Sequence, residues 1–397
     1  MVLMWTSASQ AETSVEARTS AFIEPSPTSP MTVLIPSLDL RAVIAESLEL
    51  KGGYEVDIVS GASERLKAGP IQNIDVVSGA TRFEDQRHVL SAGLGIERGL
   101  TRLSAGYAYG FENDYRSHAI NVTAVADLLK RNTQLELGYG HGFDSVCTAA
   151  YEPSLHPSRR PALDDSSDCF GGSQNRQSQD VSSDSFQLAW TQSWTPVFVT
   201  QWAITGALLR GFLANPYREV ALSSNDQALE HHPEHRARAA ASLRGKYFFR
   251  TWKSALSLRL GVYRDTWAVT SQTVELEAER NMTRWMRLLV RARAYHQSGA
   301  LFWSDDYTGG EPEMGPRGQY WTGDRELSPF FSYLVGTRLQ LHEEGSSREP
   351  AWGPFEELAL SLSANLLKTE LMSFTWGGVE PDDTMALIFS LGLSGKL

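Results

Sequence analysis

Between residues 286 and 297 the chain alternates. Met286, Leu288, Val290, Ala292 and Ala294 share one parity, and Arg287, Leu289, Arg291, Arg293, Tyr295 and Gln297 share the other. A β-strand points successive side chains to opposite faces, so this segment predicts a strand with one apolar and one mostly cationic face. A helix would scatter the three arginines around its surface. The period of two recurs along the chain. Leu90, Ala92, Leu94 and Ile96 alternate with Ser91, Gly93, Gly95 and Glu97, and Leu103, Ala105, Tyr107, Tyr109 and Phe111 alternate with small or polar residues. Segments 117–128, 134–143, 184–194, 235–249, 255–267, 269–280, 328–341 and 385–397 repeat the design. A soluble barrel fills its interior with large apolar side chains, whereas here the polar face is the small one. An apolar outside, a small polar inside and aromatics towards the strand ends are what a transmembrane barrel wall requires.

The pattern predicts an all-β fold: a transmembrane up-and-down antiparallel β-barrel of about 16 strands (roughly 16–18) over residues 41–397. Residues 1–40, rich in Ser, Thr, Pro and Glu, read as a disordered N-terminal extension. A first hairpin is expected over 42–50 and 53–60, turning at Gly52–Gly53, and each copy of the repeat at 57–63 and 75–81 reads as a strand end entering a Ser-Gly turn. Three long polar stretches, 145–182, 223–234 and 301–326, read as loops. With residues 197–222 taken as one long strand bent at Pro216, all three fall on one side, opposite both termini.

Composition changes this picture little. Nowhere in the 397 residues are about 18 consecutive residues apolar, which excludes a transmembrane helix but not barrel strands, whose hydropathy averages out. The net charge of −11 argues against a nucleic-acid partner. Cys147 and Cys169 lie in one polar stretch, and a disulfide between them would close a loop of about 20 residues, worth about 3 kcal/mol. The opening MVLMW lacks the basic start and long apolar run of a signal peptide, which an outer-membrane protein needs. The expectation is a start assigned in the wrong place or an incomplete precursor.

Candidate chemistry concentrates on four consecutive strands. Arg236, Arg238, Arg244 and Lys246 share the polar face of the first, and Arg259 and Asp265 that of the second. Glu275, Glu277 and Glu279 share that of the third, and Arg287, Arg291 and Arg293 that of the fourth. Neighbouring strands of opposite sign pair favourably, so one expectation is an ion-pair network that stiffens the wall. The other is a partly basic lumen that selects or guides an anionic solute, since the cations outnumber the carboxylates. No enzyme pattern is found: no Gly-Xaa-Ser-Xaa-Gly elbow, no phosphate loop, no His-Glu-Xaa-Xaa-His and no Cys-Xaa-Xaa-Cys. His296 with Ser298 reads as a rim histidine rather than a catalytic fragment. His231, His232 and His235 read as members of a hydrated loop that do not converge on a metal. Asp57 and Asp75 read as turn caps, and Asp305, Asp306, Glu311 and Glu313 match no calcium spacing. No cofactor is expected.

The segments GFLANPYREV, GVYRDTWAVTSQTVELEAER and LLVRARAYHQSGALFW, with the paired DIVSGAS and DVVSGAT, resemble an uncharacterised bacterial outer-membrane family, a domain of unknown function whose members are predicted barrels. The resemblance covers roughly residues 40–397. The chain departs from it near Tyr295, where relatives tend to carry a second aromatic. Many outer-membrane proteins end in Phe for recognition by the assembly machinery, and this chain ends in Leu397. A weaker similarity is to porin-like barrels of exopolysaccharide export systems. The resemblance implies an outer-membrane location in a Gram-negative bacterium. Lipid, lipopolysaccharide, the barrel assembly machinery and a periplasmic polysaccharide-export component are then the expected partners. The expected function is a porin-like channel passing or exporting anionic cargo, for instance a secreted polysaccharide. The alternative is a closed structural barrel whose extracellular loops bind a partner or surface polymer.

Overall fold

In lipid every backbone N–H and C=O must find an internal partner, so a strand wall can cross only if it closes on itself. The computed structural model describes residues 13–25, 30–45, 47–63, 81–223, 225–344, 355–374 and 383–397. Its first nine strands are β1 (Thr13–Glu24), β2 (Met31–Ala45), β3 (Leu48–Ser63), β4 (Thr81–Arg98), β5 (Thr101–Phe111), β6 (Tyr115–Leu128), β7 (Thr133–Ala149), β8 (Arg176–Thr195) and β9 (Phe198–Gly211). Two short strands follow, β10 (Glu219–Ala221) and β11 (Gln227–Leu229). Then come β12 (His235–Phe249), β13 (Ser254–Asp265), β14 (Thr270–Asn281), β15 (Met286–Gln297), β16 (Phe330–Glu344), β17 (Glu357–Leu371) and β18 (Thr384–Lys396). All but β10 and β11 form one closed antiparallel barrel of sixteen strands, with β1 sealing it against β18.

The faces follow the alternation. Ile204, Val262 and Val335 are 57–59% exposed and point to the lipid side, while Ser257, Glu275 and Asn365 on the opposite parity are buried. Trp194, Phe198, Trp252 and Trp285 ring the outer face near the end that holds the termini. Tyr107, Tyr109, Phe143 and Phe331, interleaved with His118 and His296, ring it towards the far end. His296 packs at a tilt against Phe331, with ring centres 4.4 Å apart, in this outer aromatic band. Such aromatic girdles mark the two interfaces of a membrane barrel.

Several boundaries differ from expectation. Residues 13–24 and 31–40 are barrel strand, not disordered extension, and residues 1–12 lie outside the described residues. The Ser- and Glu-rich composition conceals an alternation of Val15, Ala17, Thr19, Ala21 and Ile23, and closure of the barrel requires it. Ser14 pairs with Lys396 and Ile23 with Leu387. Gly52–Gly53 is not a turn. It sits inside β3, where a β-carbon on Gly53 would displace the tips of the Asp39 and Ser91 side chains. Ser60–Gly61 likewise stays within β3, while the second Ser-Gly copy lies outside the described residues. The cysteine loop is shorter than 145–182, since β7 runs to Ala149 and carries Cys147 itself. Residues 197–222 are not one bent strand. β9 ends at Gly211, and β10 pairs only with β11 inside the following loop. The parity of the count survives because that loop still joins β9 to β12. The connections 150–175, 212–234 and 298–329 therefore share the side opposite the termini.

Candidate functional site

On β12–β15 the cations and carboxylates singled out in the sequence share the face opposite the exposed Leu256, Leu258, Val262 and Val290, but the pairing differs from the register. In register, Glu275 stands opposite Arg293, and Glu277 opposite Arg291. The glutamates lean the other way. Glu275 lies 3.7 Å from Arg259, and Glu277 pairs with Arg244. Glu279 is shared by Lys246 at 2.8 Å and Arg287 at 3.3 Å, and buried Asp265 is taken by Arg236. An ion-pair network therefore stiffens β12–β15. It leaves Arg238, Arg291 and Arg293 with no carboxylate within 4.0 Å among the described residues.

Two residues of this wall escaped sequence reasoning. Arg338 on β16 is a further inward guanidinium without a carboxylate partner among the described residues, on the strand beside Arg291 and Arg293. Asn365 on β17 accepts from Arg291 Nε at 3.0 Å and Nη2 at 2.8 Å, reaching across β16. Gly336 makes the reach possible, because a β-carbon there would collide with the Asn365 amide. The polar parity of β16 and β17 was the signal for both.

The remaining wall is different. Gly93, Gly106, Gly138, Gly140 and Gly142 line β4–β7 with Ser, Ala and Asn residues between them, and on the same face Asp127 and Glu136 accept from the amides of Gln134 and Gln187. Asp39, Glu55 and Asp57 face inward on β2 and β3 without a cation at ion-pair distance among the described residues. In the ring of sixteen, β3 stands seven strands from β12 and five from β16. Among the described residues, the guanidiniums without a carboxylate partner cluster on β12, β15 and β16, while inward carboxylates without a cation partner are spread over β2, β3, β6 and β7.

The four largest of the best-buried side chains lie outside the barrel strands. Trp321, Leu163, Leu222 and Val220 all lie in the three long connections and are at most 2% exposed. Ser158 (connection 150–175) packs against Gly315 (connection 298–329), although the roots of these loops are six strands apart. Loops from such distant roots can touch only by crossing the mouth, and we refer to them together as the cap. Leu163 N–H donates to Pro216 O, and residues 231 and 321 form a β-bridge. The Trp321 indole donates to Leu229 O at 2.8 Å. Buried Glu230 accepts from the Thr322 hydroxyl and the Gly323 N–H. Arg218 pairs with Asp324 at 2.6 Å; burial opposes its charge, but Asp324 and Glu230 outweigh burial and raise its pKa. The Cys147–Cys169 disulfide, with Cα atoms 5.8 Å apart, fastens the first loop to β7. At the rim Tyr217 donates to Asp114, and Arg325 lies 3.4 Å from Glu24.

The histidines belong to this cap rather than to a hydrated loop. His231 packs at a tilt against the rings of Tyr320 and Trp321, and burial pushes its pKa down to about 4. His232 Nδ1 donates to Leu213 O at 2.9 Å. They do not converge on a metal, and no group of three ligating side chains occurs among the described residues.

Comparison with known proteins agrees at the level of fold. A bacterial polysaccharide outer-membrane secretin superposes with a TM-score of 0.50 at 9% identity, covering 96% of this chain and 98% of its own. OccD3 (OpdP) of Pseudomonas aeruginosa gives 0.45 at 7% identity, covering 98% and 92%. OccK2 (OpdF) from the same organism, in complex with glucuronate, gives 0.43 at 10% identity, covering 98% and 99%. These likenesses are of fold alone. No curated protein matches in sequence. The matching family model begins at residue 4, ahead of the residue 40 expected from the resemblance, and takes in β1 and β2. Over residues 4–346 the chain matches the DUF3570 model, described as protein of unknown function, and it belongs to that family.

Proposed function

We propose that the protein is a porin-like channel of the Gram-negative outer membrane whose β12–β16 wall draws anionic cargo through the lumen. A secreted acidic polysaccharide is one form of such cargo. The observation that carries this is the set of guanidiniums left over once the glutamates are paired: Arg238, Arg291, Arg293 and Arg338. A low-dielectric wall focuses their field into the lumen. A barrel of about sixteen strands leaves room for an aqueous path. The secretin likeness is compatible with polymer export, in which case a periplasmic export component would be a partner. Lipopolysaccharide and the assembly machinery would be partners of the barrel as such.

The test is single-channel conductance in planar bilayers, comparing wild type with Arg291, Arg293 and Arg338 changed together to Ser. Arg287 is left in place because it holds Glu279 within the ion-pair network of the wall. A conducting wild type whose anion preference falls in the triple variant is expected. A correctly folded wild type that stays silent at every voltage and salt would overturn the channel. The cap favours one alternative, a closed scaffold whose outer loops bind a partner or surface polymer, and silence would support it.

A further inference from the structure

Directly beneath the cap, at the outer end of the lumen, lies a cavity of about 540 Å³. Its size falls in the range of roughly 300–1,000 Å³ used for small-molecule sites. Its floor is the upper part of the arginine wall and its roof is the inner surface of the connections 212–234 and 298–329. Three kinds of group converge there. Arg238 brings a guanidinium with no carboxylate partner among the described residues and a buried Nε that donates to nothing. Tyr263 and Tyr295 bring aromatic rings, each tethered by its hydroxyl, one to Asp265 and the other to Gln297, at 2.7 Å. Exposed Glu326 brings a carboxylate from the roof. Gln297 is locked from behind, its amide donating to Glu326 O and Ser328 O at 2.8 Å, so the tyrosine beside it has little freedom to swing.

We propose that this cavity is a binding subsite for one residue of an acidic sugar. An unpaired guanidinium selects a carboxylate by a two-pronged hydrogen bond. Tethered aromatic rings with electron-rich faces suit the positively polarised C–H face of a pyranose. A carboxylate on the opposite side accepts hydrogen bonds from ring hydroxyls. A simple inorganic anion would use only the first of these groups and would be repelled by Glu326. A neutral sugar would leave Arg238 unsatisfied. The subsite deepens the channel reading and rests on it, because it lies on the path that cargo would follow between the arginine wall and the exit.

The experiment is saturation-transfer NMR on the full-length protein in detergent, with sodium glucuronate, glucose and acetate as probes. Glucuronate is expected to show saturable transfer, glucose at least tenfold weaker binding, and acetate none. Arg238→Gln should weaken glucuronate at least tenfold, and Arg238→Lys should recover part of it. Heat-modifiable electrophoretic migration shows whether each variant keeps its barrel. Should Arg238→Gln fail to fold, Glu326→Gln serves instead, since its exposed side chain can change without disturbing the wall, and the same order of loss is expected. Absence of glucuronate binding, or binding unchanged in a folded variant, would overturn the subsite. Binding is read without conductance, so the two ideas fail separately. A silent protein that binds glucuronate removes the channel and keeps the subsite, while a conducting protein that does not bind removes only the subsite.

Discussion

Cutting Trp321 back to alanine should unlock the cap and leave the barrel whole. The indole is 1% exposed and packs with Val220, Leu222 and Ala228 from another connection, with Tyr307 against them. Truncating a buried Trp to Ala removes about 3–5 kcal/mol. The loss of its hydrogen bond to Leu229 O adds about 1 kcal/mol. The cap core is separate from the strand pairings, so this loss falls on local opening of the loops and not on the β-sheet. A shift of about 4 kcal/mol at about 1.4 kcal/mol per decade raises the open population about 1,000-fold. Trypsin cleavage after Arg325 is the assay, because Leu327 and Ser328 just beyond it are buried and must be exposed to be cut. When opening is fast, cleavage tracks the open population. The expected result is a rise of about two to three orders of magnitude with unchanged barrel migration on unheated gels. A rate within a few-fold of wild type would refute Trp321 as the fastening of the cap. Loss of the folded barrel band would refute the independence of the two parts.

Replacing Cys147 and Cys169 together by Ser should lower stability by about 3 kcal/mol in the chain-entropy model for a 22-residue separation, read as a lower midpoint in denaturant. An unchanged midpoint would mean that the β7–β8 pairing alone holds the loop. Acidification should loosen the cap through His231. Its pKa of about 4 in the fold lies below the ordinary 6.5, so between those values the unfolded chain binds the extra proton. Stability is therefore full above about pH 6.5 and is lost as pH falls towards 4. The effect is about 1–2 kcal/mol once the partial exposure of the ring is allowed for. Hydrogen exchange across residues 298–329, compared between wild type and His231→Gln, checks it. The same pH dependence in both would assign the effect to other groups.

Alternation is a local property of an extended backbone, and the sequence alone therefore determined which side chains face lipid and which face the lumen. The parity of Met286 to Gln297 sorts its arginines inward whatever the neighbours are. The tight turns after Arg98 and Leu128, and the placing of three long connections on one side, follow from the same count. Composition misled where it hid alternation, as in β1, because only the unmet edge of β18 forces those residues into the wall. Register and reach belong to the tertiary structure. No local rule says that Glu277 leans to Arg244 on a strand two away, or that Asn365 crosses Gly336 to hold Arg291. Those choices depend on barrel curvature and side-chain length, and they decide which guanidiniums remain free. The cap was least legible. Trp321, Val220 and Leu222 stand in polar loops with no periodicity to mark them, and their common core exists only because sixteen closed strands bring loops from distant roots over one mouth.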